Sequence, residues 1–257
     1  MFKLIRISIL LFILLLVALS TWLARVNSVR WEFVLPVNIY LINGDGSAVA
    51  AEYLRNLTVE DFKPIEKFML EEAERYGRAS HASIKIRMGG TVESLPPSPP
   101  QQGSMLEVIL WSLKMRWWAY RNGETAAPGT QVKMFLVYFD PAQTQRMAHS
   151  TGLQKGLLGL VNVFASAGMA RQNNVVIAHE FLHTLGATDK YDAANQPRYP
   201  DGYAEPDLVP LHPQRFAEIM AGRTPLTQST AETPASLDGA LIGARTAQEI
   251  NWLDGGR

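Results

Sequence analysis

The 257-residue chain contains no cysteine. Disulfide cross-links, a thiol nucleophile and cysteine metal ligands are therefore all excluded. Net charge is absent too: 24 Lys and Arg balance 24 Asp and Glu. A chain without a basic excess offers no electrostatic footprint for nucleic acid, so no nucleic-acid partner is expected. No G-x-S-x-G sequence occurs, which removes the usual serine-hydrolase nucleophile turn. Histidine is scarce, with five in the whole chain. Two of them stand four residues apart.

Those two lie in His179-Glu180-Phe181-Leu182-His183-Thr184-Leu185-Gly186-Ala187-Thr188-Asp189. Positions i and i+4 share one face of an α-helix, so His179 and His183 can direct two imidazoles at one metal ion. Glu180 can reach a water at that metal without being a ligand, as a general base does. Gly186 suits a helix end, where a left-handed residue is usually Gly. The chain can then turn back and bring Asp189 to the same ion. Two His and one Asp leave a fourth position for water, the arrangement of a catalytic zinc site. His212 is the rival third ligand, but it has no helical spacing to help it. The bland alternative is a buried helix with two satisfied core histidines.

The same residues resemble the metzincin pattern of zinc peptidases, H-E-x-x-H-x-x-G-x-x-H with a later Met. His179, Glu180, His183 and Gly186 match it, and Asp189 stands where most members have His, as in bacterial metzincins that use Asp as third ligand. The resemblance implies an α+β fold. A mixed twisted sheet and an active-site helix would form an N-terminal subdomain to about residue 186, followed by a C-terminal subdomain, 187–257. It implies Met220, in Ala217-Glu218-Ile219-Met220-Ala221-Gly222, as the Met of the turn beneath the metal. It also implies one catalytic zinc ion and a protein or peptide substrate. Substrate would pair in extended form with an edge strand just before the active-site helix, here residues 158–165. Some metzincins carry a Tyr two residues after the Met; here that position is Gly222. Lacking cysteine, the chain cannot be kept latent by a thiolate on the zinc. The competing class is a non-catalytic zinc-containing domain that binds a partner on the outer face of a membrane.

One long apolar run is present. Lys3 and Arg6 precede Ile7–Ala24, 18 residues without a charge. Its length reaches the short limit of a membrane span. Ala18-Leu19-Ser20 offers a small-residue cleavage site, but Trp22 and further apolar residues follow, which favours an uncleaved signal anchor over a cleaved signal peptide. The segment 1–27 is thus expected to hold the chain in a membrane through residues 5–24. Residues 28–257 would lie on the extracytoplasmic side, periplasmic or extracellular, or be secreted if the run is cleaved. A buried N-terminal helix is the alternative, although the run is apolar all round.

Between these landmarks, Val37–Ile42, Ser83–Met88, Gln131–Phe139 and Gly159–Phe164 read as strands. Thr58 or Asp61 is expected to start an amphipathic helix that ends at Gly77. The Asn56-Leu57-Thr58 sequon reads as part of that capping region. Residues 91–104 are rich in Pro, Ser, Gln and Gly and read as a loop. Met105–Tyr120 reads as a helix bearing Trp111, Trp117, Trp118 and Tyr120 among Lys114, Arg116 and Arg121. Either it packs on the sheet with its basic residues outward, or it rests on a membrane interface. His149 is expected at the surface. Asn173 or Asn174 is expected to cap the active-site helix. Beyond Asp189 a long Pro-rich loop carries Asp192, Asp201 and Asp207, acidic enough for calcium although their spacing matches no calcium loop. Tyr191, Tyr199 and Tyr203 are three candidates for a phenol near a developing oxyanion. Pro225–Gly239 reads as a loop and Ala244–Leu253 as a closing helix.

Overall fold

The computed structural model describes residues 26–78, 83–98, 100, 104–123, 131–144, 151–153 and 157–253, with scattered positions before residue 26. A five-stranded sheet forms its centre. The strands are β1 (Leu35–Asn43), β2 (Ile84–Thr91), β3 (Val132–Phe139), β4 (Thr151–Leu153) and β5 (Leu158–Phe164), in the spatial order β2-β1-β3-β5-β4. The first three and β5 run parallel, and β4 pairs antiparallel with β5 through Thr151↔Leu160 and Leu153↔Leu158. This is a mixed sheet in an α+β arrangement. Residues 158–165 were expected at its edge. They occupy the penultimate position instead, because β4 folds back over Leu158–Leu160.

Parallel strands joined by helices are covered on both faces, and the sequence obeys this with near-continuous apolar runs. Ile39, Leu41, Met134, Leu136 and Val161 point into one core. The alternate residues Tyr40, Ile42, Phe135, Val137 and Leu160 point into the other. Three helices serve the first face: α1 (Ala48–Asn56), α2 (Lys63–Arg75) and α4 (Ala170–Leu185). One helix, α3 (Met105–Asn122), serves the second through Met115 and Ala119. The helix starts follow local chemistry. Ser47 accepts the Ala50 N–H at 3.0 Å at the head of α1. Thr58 and Asp61 form a reciprocal cap on the short 3-10 turn that leads into α2, and Gly77 takes the left-handed conformation just past its end. Ser104 and Glu107 form a second capping box at α3.

One further sequence expectation fails here. Asn173 and Asn174 do not cap α4, which begins at Ala170 after a 3-10 turn. They lie inside it and tie it down. Asn173 Nδ2 donates to the Phe164 carbonyl at 2.8 Å, and Asn174 Nδ2 donates to the Asp61 carbonyl at 2.9 Å. Helix α3 does pack on the sheet with Lys114 and Arg121 exposed, and large apolar residues share its outward side. Helix α1 escaped the sequence reading, although Ser47 followed by Ala-Val-Ala-Ala-Glu-Tyr-Leu is a capped helix pattern. His149 and most of Ile7–Ala24 lie outside the described residues. Leu11, Phe12, Leu15, Leu19, Trp22 and Leu23, the described members of that run past Ile7, are all exposed, so the buried-helix alternative finds no support in them. No described helix is long and apolar enough to cross a membrane.

Residues 187–253 contain only short elements: the two-residue strands β6 (Ala217–Glu218), β7 (Thr224–Pro225), β8 (Ala231–Glu232) and β9 (Ala240–Leu241), and the helix α5 (Ala244–Glu249). Buried ionic groups supply much of their organisation. Lys190 is 3% exposed; its Nζ donates to Glu249 at 2.7 Å and to the Thr188 carbonyl at 2.6 Å. Glu249 also accepts the Thr188 N–H at 2.9 Å. Burial alone would raise the Glu249 pKa, but its hydrogen bonds to Lys190 and Thr188 outweigh this and lower it. An acid with a depressed folded pKa stabilises the fold above its unfolded value and loses that contribution as pH falls through the folded one. Glu249→Ala strands the buried ammonium and should cost about 3 kcal/mol in urea unfolding at pH 7. In Glu249→Gln, the part of the acid-induced stability loss that begins below the unfolded Glu value should disappear.

Candidate metal centre

Helix α4 carries the site in its last two turns. His179 and His183 project from the same face, with ring centroids 4.7 Å apart and rings nearly perpendicular. The helix ends at Gly186, whose φ of 114° is left-handed. The Ala187 N–H returns to the Leu182 carbonyl at 3.1 Å, and this closing turn sends the chain back toward the histidines. It presents the Ala187 carbonyl 2.8 Å from His183 Nδ1. Three residues past Gly186, Asp189 Oδ1 stands 3.1 Å from His183 Nε2 and 3.3 Å from His179 Nε2. Glu180 is buried beside them, and its carboxylate and the two imidazoles offer ligand atoms all within 4.8 Å of one another.

The tautomers follow from the backbone. His179 Nδ1 lies 2.9 Å from the Ile219 carbonyl, and a carbonyl only accepts, so Nδ1 carries the proton. The same holds for His183 against Ala187. Each neutral ring then presents a bare Nε2. The two Nε2 atoms are 3.1 Å apart, and Asp189 Oδ1 sits against both without a hydrogen-bond donor. Three lone pairs converge with no proton among them. Such an arrangement repels itself unless a cation, a proton or a metal ion, lies in its midst. The pKa shifts express the same demand. Burial works against charge on His179, yet hydrogen bonding to Asp189 and the charge of Glu180 raise its pKa. Burial would raise Asp189, and the two histidines instead hold it well below the ordinary carboxylate value. Two imidazole nitrogens and a carboxylate oxygen, with backbone partners fixing both rings, are a donor set that could hold a metal ion.

The floor of the site is the turn Glu218–Gly222. Its Ile219 carbonyl orients His179, its Met220 carbonyl accepts the Lys190 N–H at 2.9 Å, and the Met220 side chain is fully buried. Gly222, at φ 69°, closes it. Glu218 holds the turn from within. Completely buried, it accepts from Ala221 N at 2.9 Å, Gly243 N at 3.1 Å and Thr246 Oγ1 at 2.6 Å. Burial raises its pKa against the pull of those donors and of Lys190.

The remaining candidates sort themselves. Tyr191 is the phenol at the site: its ring lies 6.4 Å from that of His179 and its hydroxyl is hydrogen-bonded to Asp189. Burial first, then the Asp189 charge, pushes its pKa up to about 12, so it remains a donor. Tyr203 instead pairs with His212, hydroxyl to Nε2 at 3.1 Å, and Tyr199 packs edge-on against Tyr203. His212 therefore makes its side-chain contacts away from the two histidines. Asp192 caps its own turn by accepting from Ala194 N and Gln196 N. It forms no metal-capable group with Asp201 and Asp207 among the described residues, so calcium gains no support there. The sequence reading missed the Ile219 and Ala187 carbonyls, which carry no side-chain signal, and Glu218, whose role exists only in the folded turn.

No protein-family model matches the chain, and no curated protein does.

Because Tyr191 restrains Asp189, Tyr191→Phe should weaken metal binding about tenfold while leaving the thermal midpoint unchanged. Competition against a chromogenic chelator measures this; an unaltered affinity would remove Tyr191 from the site.

Proposed function

We propose that the chain is a zinc-dependent endopeptidase of metzincin type, held at a membrane by residues 5–24 with its catalytic domain on the extracytoplasmic side. The observation that carries the reading is the convergence of His179 Nε2, His183 Nε2 and Asp189 Oδ1 beside the buried carboxylate of Glu180. Two histidines and Asp189 would hold the ion, and Met220 would be the Met of the turn beneath it. Zinc, when bound, supplies Lewis acidity toward water and toward a peptide carbonyl. The protein's own groups account for the rest. Glu180 Oε accepts the proton of the attacking water and delivers it to the departing amine nitrogen. The Tyr191 hydroxyl, kept protonated by its neighbours, donates toward negative charge that grows on the carbonyl oxygen. Strand β4, the outermost described strand on that side of the sheet, offers backbone groups to an extended peptide, which would bind by strand addition. This moves the substrate-pairing edge from residues 158–165 to residues 151–153.

A partner-binding domain has no use for a general base, so Glu180 separates the two classes. Glu180→Ala should keep about one zinc per chain by elemental mass spectrometry and lose about 10²–10⁴-fold in peptide cleavage. Cleavage at the wild-type rate would sink the assignment, and absence of cleavage by the zinc-loaded wild type across a peptide library would favour the binding domain. Asp189→Ala should lower zinc content far more than His212→Ala; the reverse would transfer the third ligand to His212.

A further inference from the structure

Helix α3 is apolar on two opposite faces. At roughly 100° per residue, Trp111, Met115, Trp118 and Ala119 fall on the side that meets the sheet. Met115 and Ala119 are buried there, and Trp118 packs on Phe135 at 4.8 Å between ring centroids. The opposite side carries Leu106, Ile109, Leu110, Leu113, Trp117 and Tyr120. Each is exposed, from 48% at Leu110 to 72% at Tyr120. Lys114 and Arg121 flank this stripe along one border and Arg116 along the other, while Glu107 is the only acid of the helix. The whole first turn and a half is exposed, including Val108 on the inward side at 46%.

Solvent is a poor partner for six adjoining large apolar side chains, and a core helix has no need of them. We propose that the outward face of α3 lies in the interface of an anionic bilayer. The chemistry fits that occupant. Aliphatic residues form the centre of the stripe, Trp117 and Tyr120 have the amphipathic rings that settle at headgroup level, and the border cations can pair with lipid phosphates while their stems follow the apolar face. The chain also brings its own means of arrival. The described residues of Ile7–Ala24 are likewise apolar and uncovered by the domain, so a tether and a second contact address the same surface. With two attachments the domain would be held in one orientation instead of swinging on residues 25–34. This inference uses the tethering role of residues 5–24 and is independent of the metal chemistry.

The absence of cysteine makes the test direct, since one introduced thiol is the only labelling site. Full-length L113C and, as control, V49C would carry an environment-sensitive fluorophore. Val49 is an exposed apolar residue of α1, on the other face of the sheet. Both proteins are reconstituted in vesicles of phosphatidylcholine with phosphatidylglycerol, with and without lipids bearing a shallow nitroxide. The label at 113 should be quenched several-fold more than the label at 49. Adding K114Q and R121Q should reduce that quenching as the anionic lipid fraction rises. Equal quenching at the two positions would overturn the proposal. So would a label at 113 that is shielded from aqueous iodide yet untouched by lipid nitroxide, because a second copy or another segment of the chain would then cover the face. Quenching at 113 indifferent to K114Q and R121Q would overturn the anionic preference.

Discussion

The structure turns on three lone pairs that face one another. His179 Nε2, His183 Nε2 and Asp189 Oδ1 lie within 3.3 Å, and both imidazole protons are already committed on the far side of their rings. Holding such a cluster together costs free energy, and the surrounding fold supplies the restraint. Helix α4 fixes the separation of the rings, the left-handed turn at Gly186 returns the chain, and two backbone carbonyls from different segments lock the tautomers. A cation, whether a proton or a metal ion, resolves that frustration, and the group could hold a metal ion.

The restraint reaches outward in layers. The Ile219 carbonyl holds His179 because Glu218 holds the turn, and Glu218 does so by accepting from residues in and just before α5. Lys190, next to Asp189, is fixed by Glu249 at the end of the same helix. The segment after α4 has few regular elements and a modest apolar core. Buried charge with specific partners provides what strands and long helices provide elsewhere, and it defines geometry more tightly than apolar contact does. On the other side of the site Asn173 anchors α4 to the end of β5. The histidines thus sit on a helix gripped at one end by the sheet and at the other by the C-terminal residues.

Much of this was legible residue by residue. Strands β1, β2, β3 and β5 followed from apolar runs bounded by turn residues, because a strand covered on both faces has little choice of composition. The bounds of α2 followed from Thr58, Asp61 and Gly77. What misled the reading was competition between local signals and contacts distant in sequence. Asn173 and Asn174 look like caps, but their side chains are drawn to Phe164 and Asp61, so the helix starts earlier. Strand β4 is three residues long in a polar stretch, too short to show periodicity, and its pairing displaced β5 from the edge. Helix α3 shows apolar residues on all sides, so its pattern left open which face meets the sheet.

The sequence by itself determined the helix that bears the two histidines, the i, i+4 placement of His179 and His183, the adjacency of Glu180 and the return at Gly186, since all of these are set by helical geometry and by the φ that only glycine adopts freely. It also determined that no thiol chemistry is available. Only the tertiary structure decided which tyrosine meets Asp189, that His212 turns instead to Tyr203, and that the Ile219 and Ala187 carbonyls fix the imidazole tautomers. Those choices depend on how the turns fold, at separations from 4 residues for His183 and Ala187 to 40 for His179 and Ile219, and a carbonyl leaves the same mark in every sequence.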